Sequence, residues 1–312
     1  MPAALELVDL VMHHPTPAGL LKAVDGIDLK VDSGETLGLV GESGCGKSTL
    51  ARCVVGLNRP TRGSVVLGGR ETGNDRSDRL TRARKVQMVF QDPMGALNPR
   101  LTIRTIIEQP LKVHKRGTPA DRRSRVEMLA AQVGLGEHLL DRYPHELSGG
   151  QRQRVSIARA LTLEPELIVC DEAVSALDVS VQAQVLNLLT DLQKRLGVAF
   201  LFISHDLSVI RYISNRIAVM YLGRIVEIGD SESVWNNPQH PYTQALIASI
   251  PDEVADGVNG PVLSGDVPSP INPPSGCAFR TRCPRAQAIC AEIRPDLAAT
   301  GRPHQVACHF PG

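Results

Sequence analysis

The sequence predicts an α/β fold with a mostly parallel sheet, and three observations predict it. Short, β-rich apolar runs alternate with stretches of helical period on both sides of the chain's middle. One of these runs, Thr36–Val40, passes through a glycine-rich loop straight into a helix. Strand signals then fade between about residues 92 and 157, which marks a helical insertion.

Each element follows from its local pattern. Val24, Ile27, Leu29 and Val31 lead up to Thr36-Leu-Gly-Leu-Val40, a short apolar run of the kind found in strands covered on both faces. Ser48–Val55 is a helix stopped at Gly56. Val86–Phe90 is a strand. Thr102 to about Leu140 is helical, with Arg122–Val133 its clearest amphipathic part. Leu167–Cys170 is a buried strand ending in two acids, Val181–Leu196 a long helix, and Ala199–Ile203 a strand leading into Ser204-His205-Asp206. Arg216–Met220 and Arg224–Glu227 are strands joined near Gly223. After Ile250 the composition changes: Pro251–Pro274 is rich in Pro, Gly, Ser and Asp, as in a linker or extended arm. No internal repeat is present. The expected division is an α/β core over 1–91 and 158–250, a helical subdomain over 92–157 and an extension over 251–312.

Composition narrows the function. Of the 312 residues, 42% are hydrophobic and 21% charged, as in ordinary globular proteins. A net charge of +1 and 3% aromatics give no case for a nucleic-acid partner. No apolar run approaches the roughly 18–20 residues of a spanning helix. Met1–Leu10 carries Glu6 and Asp9 and no basic region, so it is not a secretory signal. A cytoplasmic protein is expected, reaching a membrane only through partners. Cys45, Cys53 and Cys170 are expected to be reduced, partly buried thiols.

The glycine-rich loop runs Gly41, Glu42, Ser43, Gly44, Cys45, Gly46, Lys47, Ser48, Thr49, matching G-x-x-x-x-G-K-S/T. Glycines let the backbone wrap a polyphosphate with its N–H groups inward, and the next helix adds its positive end. Lys47 is placed to reach the β- and γ-phosphates and Ser48 to bind magnesium. Asp171, at the end of a buried strand, suits magnesium held through water. Glu172, one residue on, suits polarising an attacking water. Leu147, Ser148, Gly149, Gly150 and Gln151 open another helix. A serine hydroxyl, glycine amides and a helix N-terminus make a second anion site. One chain has no obvious use for two such sites on one nucleotide; a dimer does, if each protomer offers this site to the other's γ-phosphate.

Together these motifs, in this order, resemble the ABC ATPases, over about residues 5–310. The resemblance implies a P-loop NTPase (RecA-like) core with an inserted helical subdomain and a C-terminal Pro/Cys-rich extension. It implies that Gln91 contacts magnesium and the attacking water, and that Ser175-Ala-Leu-Asp178 crosses a dimer interface. It implies that His205 contacts the γ-phosphate and that Leu147–Gln151 is the signature motif. Two departures stand out. The region that usually supplies an adenine-stacking aromatic reads Val11-Met-His-His14, leaving His14 as the candidate, and Ala173 stands where many members have proline.

Within that superfamily the chain is similar to oligopeptide/dipeptide importer ATPases of the second type. The similarity lies in Gln91–Pro99, Asp178–Gln184, Asn237–Leu246 and Pro268–Cys277. It implies a heterodimer with a second ATPase subunit beneath two transmembrane permease subunits, fed by an external substrate-binding protein. The chain would then lie peripherally on the cytoplasmic face of the cell membrane. The tail holds Cys277, Cys283, Cys290 and Cys308. Four cysteines so close in a cytoplasmic chain favour a metal over disulfides. The family resemblance points to a 4Fe–4S cluster, which needs four thiolates. Zinc, whose sites more often use C-x2-C pairs, and a reduced loop packed under its prolines are the alternatives.

Overall fold

The computed structural model describes residues 2–73, 75–250, 265–302 and 304–312. Their contacts divide them into two compact units. A hairpin unit holds 5–31, 36–66 and the chain from 202 onward; a helical unit holds the start of the chain, 32–35 and 67–201.

In the hairpin unit, β1 (Leu5–Thr16) and β2 (Gly19–Val31) pair antiparallel. The sequence patterns had not indicated β1. Its alternation is broken by register shifts near Leu10 and Met12, and by Asp9, whose φ is 43°. β3 (Thr36–Val40) has all five residues buried, so it shows no alternation. The glycine-rich loop leads from it into α1 (Lys47–Val55), which ends at Gly56 in the left-handed conformation, φ 80°. β4 (Arg62–Leu67) follows, next to β1 in a sheet separate from β3.

The helical unit continues with β5 (Arg70–Glu71), α2 (Arg76–Lys85) and β6 (Val86–Val89). Next come α3 (Pro93–Ala96), α4 (Ile103–Val113), α5 (Pro119–Gln132) and α6 (Gly149–Leu161). α4 buries Ile103, Ile106, Ile107 and Leu111, a one-sided stripe at helical spacing, and Thr102 caps its start. α5 starts with Pro119 inside a Thr118/Asp121 capping box. β7 (Leu167–Asp171), fully buried, pairs parallel to β6, with Val86 opposite Leu167 and Val89 opposite Cys170. α7 (Val179–Leu196) then leads to β8 (Ala199–Ser204), whose chain passes from this unit into the other.

Back in the hairpin unit, α8 (Leu207–Ile213), β9 (Arg216–Tyr221), β10 (Arg224–Asp230), α9 (Ser231–Asn236) and α10 (Pro241–Ala248) follow. The described part of the extension adds α11 (Ala288–Glu292), β11 (Ala298–Arg302) and β12 (His304–Val306). β3 and β9 are parallel. β9 and β10 are antiparallel, because only Leu222 and Gly223 join them and both have positive φ, 42° and 79°. β12 adds antiparallel to β10, and β11 to β12. The sheet expected to be mostly parallel is thus antiparallel along the β9-β10-β12-β11 side. Of the expected linker, 251–264 lies outside the described residues, and 265–274 forms neither helix nor strand. Among the described residues no helix is long and apolar enough to cross a membrane.

Candidate nucleotide site and cysteine segment

The phosphate loop is shaped by close approach. A Cβ on Gly41 would run into the carbonyl oxygen of Met220, and one on Gly46 into that of Ala23. Gly46 also caps α1 at φ 111°. Ser43 and Gly44 are exposed, whereas Cys45 and Lys47 are buried, and Ser48 and Thr49 sit in the first turn of α1. Lys47 Nζ donates to the carbonyls of Gly41 (2.7 Å) and Glu42 (3.0 Å), so the ammonium lies within the loop's own arch. Burial pushes the Cys45 thiol upward, against the pull of Lys47. Glu42 is held from outside the loop. Its N–H donates to Tyr242 Oη (2.8 Å), and its carboxylate receives both terminal nitrogens of Arg282 (2.7 and 3.0 Å).

His205, exposed, follows β8 on a turn fixed by Asp206. The N–H of Asp206 donates to Ser204 Oγ (3.0 Å), and its carboxylate caps α8. His14 lies on β1 opposite Leu21, partly buried. Its neighbour His13 is engaged with Asp25 at 3.0 Å.

The helical unit holds the other predicted residues. Asp171 ends β7 and is 8% exposed. Glu172 adopts φ 50°, a conformation costly for a non-glycine residue, and this turns it out of the strand. Gln91 Nε2 donates to the Glu172 carboxylate at 2.9 Å and reaches Ser175 Oγ at 3.5 Å. The Ser175 hydroxyl donates to the Glu172 carbonyl (3.0 Å), closing the turn. The structure therefore brings together Gln91 and Glu172, 81 positions apart in sequence. Ser148 and Gln151 form a reciprocal cap at the start of α6, with Leu147 buried beneath it and Ser148 and Gly149 exposed. Gly150 is glycine because a Cβ would strike the Val181 side chain of α7. Asp178 is exposed just before α7.

The cysteine tail folds back on itself. Cys277 N–H donates to the Cys290 carbonyl at 2.8 Å, and Gly276 packs so tightly there that a Cβ would strike the same oxygen. Cys277, Cys283, Cys290 and Cys308 line one small cavity with Phe279 and Phe310. All four are free thiols. Burial pushes the Cys277, Cys283 and Cys308 thiols upward, and neighbouring cysteines of the set add to the shift. Among the described residues no group of three or more His, Cys, Asp or Glu side chains stands ready-made for a metal ion.

Two residues that motif reading did not assign, Tyr242 and Arg282, reach the phosphate loop. Tyr242 lay within Asn237–Leu246, already marked by resemblance, whereas nothing in the sequence singled out Arg282.

Comparison with known proteins adds the following. Residues 24–175 match the model of the ABC transporter family, and 226–290 that of the oligopeptide/dipeptide transporter C-terminal region. The chain is 50% identical to the oligopeptide transport ATP-binding protein AppF of Bacillus subtilis, covering 98% of this chain and 97% of that one. It is 50% identical to OppF of Salmonella typhimurium, covering 97% and 95%. Among solved structures it resembles a dimeric ATP-binding cassette in a post-hydrolysis state bound to ADP and Pi. That likeness has a TM-score of 0.67 at 30% identity and covers 73% of this chain and 98% of that one. It also resembles cbiO1 of an ABC transporter complex from Clostridium perfringens, with a TM-score of 0.69 at 25% identity, covering 82% and 98%.

Proposed function

Because the chain belongs to the ABC transporter ATP-binding proteins, in the group with an oligopeptide/dipeptide transporter C-terminal region, we propose that it powers peptide import as one ATPase subunit of a membrane complex. The observation that carries this reading is the near-full-length likeness to proteins named for oligopeptide transport. Its partners are a second, different ATPase subunit, two permease subunits and, indirectly, an external binding protein. Its place is the cytoplasmic face of the membrane.

The site residues take these roles. The amides from Ser43 to Thr49 cradle the phosphates. Lys47 leaves the Gly41 and Glu42 carbonyls for the β- and γ-phosphate oxygens. His14 lies against the adenine. Ser48, Asp171 and Gln91 offer a hydroxyl, a carboxylate and an amide carbonyl, the hard oxygen donors that magnesium takes, so the residues fit that ion. Magnesium, when bound, neutralises phosphate charge. Glu172, aimed by Gln91, accepts the proton of the attacking water, and His205 faces the γ-phosphate. Leu147–Gln151 and Asp178 serve the partner's nucleotide.

The test is ATP-driven oligopeptide uptake by the assembled complex in vesicles, with the Glu172→Gln variant alongside. The variant should bind ATP and lose at least about 100-fold in hydrolysis, the usual weight of a general base. Rapid hydrolysis by the variant would remove Glu172 from its role. ATP hydrolysis without any peptide uptake would overturn the transport reading.

The four tail thiols suit a 4Fe–4S cluster: they share one cavity, and among the described residues no carboxylate lines it. Iron and sulfide assayed in anaerobically purified protein should appear together and vanish in Cys283→Ser. Zinc in their place would make the site a structural zinc centre.

A further inference from the structure

We propose that Arg282 is a positioning residue for the phosphate loop: by neutralising and fixing Glu42, it lets the cysteine segment set how tightly this chain binds nucleotide. The proposal rests on Gly41–Thr49 being the nucleotide site, and every residue it uses lies within the hairpin unit.

Glu42 is the second residue of the loop, and all of its polar groups are held. Its carbonyl takes Lys47 Nζ (3.0 Å) and the Cys45 N–H (3.3 Å). Its N–H is committed to Tyr242, which is fully buried at the start of α10. Its carboxylate takes a two-pronged pair from Arg282, whose side chain is only 4% exposed. That pair spans 240 positions of sequence. The guanidinium stands about 6 Å from the ring centres of Tyr221 and Phe279, within cation–π range. Tyr221, Phe279 and Tyr242 themselves pack with centroids 4.7–5.4 Å apart. Arg282 is therefore boxed, with little freedom to follow a moving partner.

Two consequences follow. First, Glu42 places a carboxylate within the loop that must hold a polyphosphate, and like charges in one loop oppose binding. Arg282 cancels that charge. Second, Arg282 is carried by the loop between Cys277 and Cys283. The Arg282 N–H donates to the Phe279 carbonyl (3.0 Å) and the Arg280 N–H to that of Cys277 (3.1 Å). A change in how the thiols are held shifts the arm on which the guanidinium sits. The state of the thiols thus reaches the phosphate loop through one ion pair.

The test is the dissociation constant of a fluorescent ATP analogue for the full chain, measured with thermal melts to establish folding. Arg282→Gln should weaken binding roughly 10-fold, the weight of one charge-assisted hydrogen-bonded pair. Adding Glu42→Gln to it should restore affinity to within about threefold of wild type, because the unpaired charge is gone. Arg282→Lys, which keeps the charge without the fork, should fall between. Glu42→Gln alone should weaken binding less than Arg282→Gln does, because it breaks the pair without leaving a bare carboxylate in the loop. Cys283→Ser should weaken binding in the wild-type background and add less than about twofold in the double variant. The fold-neutral pattern of loss and rescue is one that mere destabilisation does not give. Equal affinity in Arg282→Gln and wild type, or a loss that Glu42→Gln deepens, overturns the proposal. If Arg282→Gln does not fold, a tenfold loss in Glu42→Gln alone does the same. A wild-type chain that binds no ATP analogue would instead remove the nucleotide reading itself.

Discussion

At Gly46 a single hydrogen in place of a side chain decides whether the phosphate loop can form. The φ of 111° and the Ala23 carbonyl packed against its Cα leave room for nothing larger. The same holds at Gly41 against Met220. Because both constraints act within nine consecutive residues, the loop is legible in sequence. Glu172 is legible only beside that loop, since two acids after a buried strand would by themselves read as the start of a helix. Its φ of 50° was not legible, nor was the 2.9 Å bond from Gln91 that aims its carboxylate. The Arg282–Glu42 pair was the least legible of all. Neither residue type is unusual, and only the folded chain brings them together.

Elements show the same division between local and distant causes. α1, α5, β3, β7 and β8 were readable, because glycine stops, amphipathic periods and uninterrupted apolar runs are local signals. β1 was hidden by its bulges, and β11 and β12 by their shortness and polarity. Beyond its backbone pairing, β12 is tied to β10 by one buried side chain. Glu227 on β10, with no exposure, pairs with His304 Nε2 at 2.7 Å and accepts the N–H groups of Gln239 and His240. His240 in turn caps α10 by accepting the Tyr242 N–H at 3.0 Å. Burial pushes the His240 pKa down from 6.5 to about 4, against the opposing charge of Glu227. The folded state therefore prefers this imidazole neutral, and the unfolded chain takes up the proton first as pH falls. The stability tied to His240 is complete above about pH 6.5 and is lost between there and about pH 4. Chemical denaturation at steps across that window should show wild type losing up to about 1.4 kcal/mol per pH unit more than His240→Asn, which keeps a capping oxygen. Parallel pH profiles for the two proteins would refute the assignment.

At the scale of the whole molecule, the proposed function divides the residues of one reaction between two chains. In that reading the glycine-rich loop offers amides and Lys47 to a nucleotide, and the start of α6, where Ser148 and Gly149 are exposed, serves as a second anion-binding end. The dimeric cassette that this chain resembles was found with ADP and Pi. Binding should accordingly begin on the single chain and hydrolysis should require a second ATPase subunit. Hydrolysis measured against added partner subunit should rise from near background to saturation at one partner per chain. Ser148→Arg should cut that saturated rate at least about 10-fold, since an interfacial anion site of this kind contributes through charge-assisted bonds. The variant's melting temperature should stay within a few degrees of wild type, the loss of one cap being worth about 1 kcal/mol. A monomeric wild-type chain that hydrolyses ATP as fast as the mixture would show that the site is complete on one subunit, and the exposed start of α6 would then be a cap and nothing more.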